Sequence, residues 1–174
     1  MRLGIGFSGS EPLCMERVIL GIDPGIADTG YGFIRVKGAS LECLAYGSIK
    51  TPAGLPLPER LALLYGELSA LVKKYRPQAA GIEQLFFNKN VRTALIVGQA
   101  RGVALLAVSQ QGVPLMDFTP AQVKQSVSAY GQASKMQIQK MVKLILKLEE
   151  LPRPDDAADA LAVAICGANH RQLL

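Results

Sequence analysis

The chain has 174 residues, of which 49% are hydrophobic and 19% charged, an ordinary composition for one globular domain with a hydrophobic core. Lysine and arginine outnumber aspartate and glutamate by 19 to 14, and the net charge of +5 favours a polyanionic partner. No apolar run is long enough for a membrane span or a signal peptide, and the three widely spaced cysteines argue against a disulfide framework or a zinc site. We therefore expect a cytoplasmic protein that does not bind membranes.

Hydrophobic periodicity and turn residues divide the chain into ten predicted elements. Strands are predicted at residues 18–23, 29–36, 41–50, 79–85 and 113–118. Helices are predicted at residues 59–75, 91–111, 120–130 and 134–150, and a last one follows Pro154. Three sequential strands followed by alternating helices and strands predict an α/β fold with a mixed five-stranded sheet flanked by helices.

The last predicted helix opens with acidic residues although the rest of it is apolar. From Leu161 onward every face carries Leu, Ala, Val, Ile or Cys, so we expect this helix to be buried on all sides. Asp155 is predicted to be its N-cap, because Asp is a leading cap residue. Asp156 and Asp159 are three positions apart and project from one face, where like charges repel. This spacing indicates a bound cation between them.

Two further acidic residues lie at the ends of predicted strands. Asp23 ends the first strand, and Glu83 lies near the end of the fourth. If these strands are neighbours in the sheet, both acids meet the head of the last helix and form one cluster with Asp156 and Asp159. The alternatives are a turn residue before Pro24 for Asp23 and a surface acid for Glu83.

Four carboxylates without a convergent histidine or cysteine are a ligand set for Mg²⁺ or Mn²⁺ rather than zinc. Two such ions can activate water and neutralise charge on a phosphodiester during its hydrolysis. A basic protein with this cluster is predicted to be a nuclease.

Five ordered segments resemble the RuvC family of bacterial Holliday junction resolvases, which belongs to the ribonuclease H-like superfamily. They are GIDPGIADTGYGFI, GIEQLFFNKN, VGQARGVA, PAQVKQSV and DDAADALAVAI, and the resemblance runs from about Val18 to Asn169. It implies a homodimer that cuts DNA four-way junctions by paired symmetric nicks in recombination and repair, with two Mg²⁺ ions per subunit. The implied catalytic metal ligands are Asp23, Glu83, Asp156 and Asp159. Cooperation with the RuvA–RuvB branch-migration complex is left open.

The resemblance also bears on the ends of the chain and on DNA binding. Residues 1–14 precede the point where the family begins, so we expect a disordered extension followed by one nuclease domain at residues 15–174. The predicted DNA contacts are Phe86, Lys89, Arg92, Lys124 and Lys135. The alternatives are burial for Phe86 and a solvated helix face for the lysines. Whether Phe86 or Phe87 is the buried ring is left open.

The helix predicted at 91–111 carries apolar residues around its whole circumference, more than one sheet can bury. Gly98 and Gly102 allow close approach of a second helix, and Leu95 and Leu105 lie beside them. This pattern predicts a two-fold dimer interface on this helix.

Three rival functions are consistent with parts of the sequence. A ribonuclease acting on RNA in hybrids would use the same acids without a dimer. An actin-like ATPase would use a phosphate loop resembling DPGIADTGYG, but the chain is too short for its two domains. The complete set of four acids disfavours a junction-binding protein without catalysis.

Overall fold

The computed structural model describes residues 16–85, 91–128 and 131–170, and for residues 91 and 92 it describes the backbone alone. The five strands are β1 Arg17–Asp23, β2 Asp28–Lys37, β3 Ser40–Lys50, β4 Ala79–Glu83 and β5 Leu115–Phe118. The helices are α1 Leu57–Tyr75, α2 Val91–Ser109, α3 Pro120–Ser128, α4 Lys135–Ile145 and α5 Asp155–Ala168. No helix within these described ranges has the length and apolar character needed to cross a membrane.

The predicted elements are all present, and the largest error in their bounds concerns α4. The sequence predicts this helix over residues 134–150, but it ends at Ile145. Lys147 adopts a left-handed backbone with φ of 52°, and the amide of Leu148 donates to the carbonyl of Lys143. The chain therefore turns away five residues earlier than its apolar pattern suggests.

The five strands form one sheet in the order β3-β2-β1-β4-β5. β1 pairs antiparallel with β2, and β2 with β3, whereas β1 and β4, and β4 and β5, are parallel. Ile22 of β1 is the direct partner of Ile82 of β4. The mixed sheet is the predicted one, and it makes β1 and β4 neighbours.

Helices cover the sheet on both faces because successive strand residues point to opposite sides. Ile19 belongs to a core with residues of α3, α4 and α5, whereas the adjacent Leu20 belongs to a core with residues of α1 and α2. The molecule thus has three layers, with the acid-bearing helix α5 on one face of the sheet and α2 on the other.

Helix α5 lies unusually close to the strands beneath it because those strands carry glycine at the contact points. A Cβ atom on Gly21 would lie 2.0 Å from the carbonyl oxygen of Ala160, and one on Gly30 would lie 2.0 Å from that of Asp156. Residues 160–167 of the helix are all buried, as the sequence predicts. The backbone contact at Gly30 fixes the height of Asp156 above the sheet.

Candidate active site

The four predicted acidic residues are brought to one edge of the sheet. Asp23 and Glu83 each follow the paired residues Ile22 and Ile82, so they stand side by side at the ends of parallel strands. Gly30, the strand partner of Asp23, lies directly beneath the Asp156 carbonyl, and Asp159 follows less than one turn along α5. Two neighbouring strand ends and one helix head therefore converge here, as the sequence predicts.

Asp23 lies at the centre of this cluster. Burial and then repulsion from Glu83, Asp159 and Asp156 raise the pKa of Asp23 to about 7, and the ammonium group of Lys135 opposes the shift only in part. All three other acids are thus close enough to act on the charge of Asp23. A carboxyl group held in this way binds either a proton or a cation near neutral pH.

Glu83 and Asp156 are shifted in the same direction. Burial and the charge of Asp159 raise the pKa of Glu83, while Lys124 and Lys135 oppose this. Burial and the charge of Asp28 raise the pKa of Asp156.

Asp28 is an acidic neighbour that the sequence interpretation missed. It accepts a hydrogen bond of 3.0 Å from the hydroxyl of Ser48, and its only signal in the sequence is its place in DPGIAD, five residues after Asp23. The cluster therefore carries more negative charge than the four predicted residues supply.

Lys135 lies among the acids. Its Nζ is 3.0 Å from Oδ2 of Asp159 and 3.5 Å from Oδ2 of Asp155. Burial disfavours the charged ammonium group, but hydrogen bonds and charge from Asp159 and Asp155 raise the pKa of Lys135 above its usual value. Lys135 therefore carries its positive charge into the cluster, and its predicted contact with DNA must be made from this position.

The prediction that Asp155 caps α5 is wrong. The residue at the N-cap is Pro154, and no side chain caps the helix. The Asp155 carboxylate instead faces α4, where it accepts a hydrogen bond from Nε2 of Gln139 at 3.0 Å, and it accepts a second one from Arg153, in the loop before α5, at 3.2 Å. The bond from Gln139 and the charge of Lys135 hold the pKa of Asp155 below its usual value. Tertiary partners on α4 have taken the oxygen atoms that a cap would use.

The chemistry of these donors fits a hard divalent cation. They are carboxylate oxygens, and at Asp23, Glu83 and Asp156 burial and the charges of neighbouring acids disfavour the ionised form unless a cation binds. As the side chains stand, no three acidic, histidine or cysteine residues in the described parts of the chain are close enough to hold one ion. Asp159 instead forms an ion pair with Lys135. The single histidine, His170, packs edge-on against Phe118.

The loop that follows Asp23 is held by hydrogen bonds from side chains that the sequence interpretation did not identify. The buried Thr29 donates to the carbonyl of Gly25, and Thr51 donates to that of Ile26. Arg60 of α1 donates to the same Ile26 carbonyl at 3.2 Å and to the Thr51 hydroxyl at 2.8 Å. This network links the loop after β1 to the far end of β3, and so fixes the chain just beyond Asp23.

Arg101 connects α2 to the same edge of the sheet. Its guanidinium lies 2.5 Å from the carboxylate of Asp117 on β5, and its Nε donates to the backbone carbonyl of Glu83 at 3.4 Å. Its signal in the sequence is a charge in the middle of an apolar helix, whose one other charged residue, Arg92, lies in the first turn. Arg101 thus supports the backbone of an acidic site residue from the opposite face of the sheet.

A cavity of about 220 Å³ lies beside the acids. It is lined by Glu83, Asp159, Lys124 and Lys135, together with apolar residues of α3, α4 and α5. Of the five predicted DNA contacts, these two lysines are therefore placed at the site. Phe86 and Lys89, with Phe87, lie outside the described residues, as does the side chain of Arg92.

The predicted interface helix α2 keeps one apolar face exposed in this chain. Leu95 is 65% exposed and Leu106 is 49% exposed. Apart from the backbone of the helix itself, a Cβ atom on Gly98 or Gly102 would meet no atom of the described residues within 4 Å. Leu105, by contrast, packs partly against the core beneath the helix. The open surface therefore runs through Leu95, Gly102 and Leu106.

Comparisons with known proteins identify the family to which the chain belongs. The family described as crossover junction endodeoxyribonuclease RuvC matches residues 19–167. RuvC of Pelotomaculum thermopropionicum is 54% identical over 88% of this chain and 93% of its own, and RuvC of Desulfitobacterium hafniense is 54% identical over 90% and 95%.

Solved structures give the same result. Thermus thermophilus RuvC, in complex with a Holliday junction substrate, superposes with a TM-score of 0.83 at 38% identity, covering 87% of this chain and 93% of that one. A yeast mitochondrial Holliday junction resolvase shares the fold, with a TM-score of 0.64 at 19% identity. The chain therefore belongs to the RuvC family of crossover junction endodeoxyribonucleases, a family of divalent-metal nucleases with a ribonuclease H-like fold.

Proposed function

We propose that this protein resolves DNA four-way junctions by two nicks at symmetry-related positions, in recombination and repair. The observation that carries the proposal is the cluster of four carboxylates, whose central member has its pKa raised to about 7, beside a cavity lined by two lysines. The site fits a phosphodiester, because it joins carboxylates that can hold cations to ammonium groups that attract phosphate. The junction complex of the Thermus thermophilus relative supports the choice of substrate.

The proposed ligands of two Mg²⁺ ions per subunit are Asp23, Glu83, Asp156 and Asp159, and Mn²⁺ should substitute. When bound, such ions activate a water molecule and neutralise charge on the phosphodiester. Asp23 must lose its proton to act as a ligand, so cation binding should release protons near neutral pH. Lys124 and Lys135 line the cavity and hold positive charge where phosphate oxygens would enter. Arg101 and Arg60 keep the chain around Glu83 and Asp23 in place.

The remaining predicted contacts are proposals from the sequence. Phe86 would stack on a base that is unstacked near the crossover, and Lys89 and Arg92 would contact phosphates close to Glu83. A homodimer through α2, including Leu95, Gly98, Gly102 and the edge of Leu105, would present two acid clusters to the two strands that are cut. A cytoplasmic location and cooperation with the RuvA–RuvB complex belong to the same proposal.

A labelled synthetic four-way junction tests the reaction. With Mg²⁺ we expect nicks at symmetric positions that leave ligatable duplexes, and without a divalent ion we expect none. Asp159→Asn should abolish cutting while junction binding remains, because affinity comes from basic groups. A suitable control is Glu42→Gln, which removes an exposed acid whose partner, Arg35, lies on β2 away from the site.

Two results would contradict this proposal. One is a single-turnover rate for Asp159→Asn within about threefold of the unmodified protein, equivalent to roughly 0.65 kcal/mol of barrier. The other is nicking of linear duplex, or of an RNA–DNA hybrid, as readily as of a junction. The second result would favour a general nuclease with the same acids.

We also propose that residues 15–174 make up the nuclease domain. A chain beginning at Met15 keeps Glu16, which pairs with Arg35 and Lys37 on β2. It should therefore melt and cut junctions like the full chain. Differential scanning calorimetry checks this, and a fall of several degrees in Tm would show that residues 1–14 stabilise the fold.

A further inference from the structure

The ammonium group of Lys135 lies between two carboxylates, only one of which is a proposed metal ligand. It lies 3.0 Å from Oδ2 of Asp159, a proposed metal ligand, and 3.5 Å from Oδ2 of Asp155, which is outside the proposed ligand set. The Lys135 side chain is 53% exposed, so it has room to move between these two acceptors. Both lie on the head of α5, whereas Lys135 is the first residue of α4.

Asp155 is held in place independently of Lys135. Its other oxygen, Oδ1, accepts from Nε2 of Gln139 at 3.0 Å and from Arg153 at 3.2 Å. Gln139 is only 3% exposed and lies one turn after Lys135 on α4. Because Oδ1 is held by these donors, Oδ2 stays directed at the ammonium group.

A divalent ion that binds Oδ2 of Asp159 must compete with this ammonium group. Were Asp159 the only acceptor, displacing Lys135 would leave its charge without a partner close to the incoming cation. With Asp155 beside it, the ammonium group can exchange one carboxylate for the other by a short movement. The pair would then keep its positive charge at the edge of the cavity.

We propose that Asp155 is a positioning residue, which receives Lys135 when Asp159 binds a divalent ion and keeps the ammonium group beside the site. This inference rests on the proposed metal ligands. It assigns a role to an acid that neither caps its helix nor belongs to the ligand set. Two other roles make different predictions. A general negative charge would attract cations with or without Lys135, and a mere link between α4 and α5 would change stability without changing metal affinity.

Mn²⁺ binding to the whole protein, measured by titration calorimetry or electron paramagnetic resonance without DNA, separates these roles. Asp155→Asn removes the charge but keeps an oxygen that can accept from Gln139. We expect it to weaken Mn²⁺ binding by about two- to fivefold, the range for one exposed ion pair. In a Lys135→Met background the same change should have no effect. Lys135→Met alone should tighten binding more than Lys140→Met, which removes an exposed charge from the same helix.

Each other outcome overturns the inference. Equal weakening by Asp155→Asn in both backgrounds would show a general charge effect. Unchanged Mn²⁺ affinity in Asp155→Asn, whether or not the variant is less stable to heat or urea, would show a purely structural role. Absence of Mn²⁺ binding to the unmodified protein, or binding that Asp159→Asn leaves unchanged, would overturn the proposed ligand set itself, and the inference with it.

Discussion

Helices α5 and α2 have similar apolar sequences but opposite surroundings. Both are rich in alanine, valine and leucine, and both contain or face glycine. Residues 160–167 of α5 are buried against strands whose glycines admit its backbone, whereas α2 leaves Leu95 and Leu106 exposed and its glycines open. Helices of similar composition can therefore be fully buried within the chain, like α5, or keep an exposed apolar face, like α2. The difference lies in the partner surface, which is distant in sequence.

The largest effect should come from closing the space beneath α5. In Gly30→Ala the new Cβ atom would lie 2.0 Å from the carbonyl oxygen of Asp156, so the head of the helix must move. We expect a loss of about 3 kcal/mol in the free energy of unfolding, measured in urea, and loss of junction cutting.

Gly66→Ala is the matched control for that change. Gly66 lies on α1, and a Cβ atom there would meet, apart from the helix backbone, no atom within 4 Å in the part of the chain that the structure describes. Because alanine is the better helix former, it should raise stability by roughly 0.5–1 kcal/mol. Equal effects at the two glycines would contradict the contrast between a covered and an open helix surface.

Introducing charges on the exposed apolar face of α2 should change the stability of the monomer little but weaken dimer formation strongly. In the double variant Leu95→Glu, Leu106→Glu we expect the monomer to keep its Tm within a few degrees, because both side chains are exposed. The dissociation constant of the proposed homodimer should rise by about 100-fold, because two anchors of the proposed interface are lost. Sedimentation velocity measures this. Leu144→Glu, at a 68% exposed leucine on α4, should leave the dissociation constant of the proposed homodimer unchanged. A dimer unaffected by the α2 changes would place the interface elsewhere.

The smallest effect concerns charge beneath the head of α5. In metal-free protein, burial and the charges of Glu83, Asp159 and Asp156 raise the pKa of Asp23 from 3.8 to about 7, with Lys135 opposing. The folded protein therefore holds the Asp23 proton more tightly than the unfolded chain does. The stability associated with this proton is fully present below pH 3.8 and is lost as the pH rises through 7.

Asp23→Asn should remove this dependence, so that it is more stable than the unmodified protein at pH 8 by roughly 1–2 kcal/mol, with the gap shrinking towards pH 5. Urea unfolding with a chelator present gives both curves. If the free energies of unfolding of the two proteins changed with pH in parallel, the pKa of Asp23 would not be raised.

Much of this architecture was predictable because it depends on local patterns. Alternating strands, turn residues and helical periodicity gave all ten elements, and Asp23 and Glu83 were identified by their places at strand ends. The contacts of Asp155 were not predictable, because its partners Gln139 and Lys135 reach it only when α4 packs against α5. Arg101 and Asp28 were missed for the same reason. Arg101 and Asp28 contact or influence residues that are distant in sequence and become neighbours only in the folded chain.

The parallel pairing of β1 with β4 has a consequence for the order in which the protein becomes active during synthesis. Asp23 leaves the ribosome before Glu83, and Glu83 leaves it well before Asp159. A nascent or truncated chain that lacks α5 therefore holds only half of the acids and lacks the helix that covers one face of β1 and β2. Pairings between distant segments also form slowly. If the four acids are the proposed metal ligands, an unfinished chain has no complete centre for cutting DNA, and we expect nuclease activity only after α5 has docked.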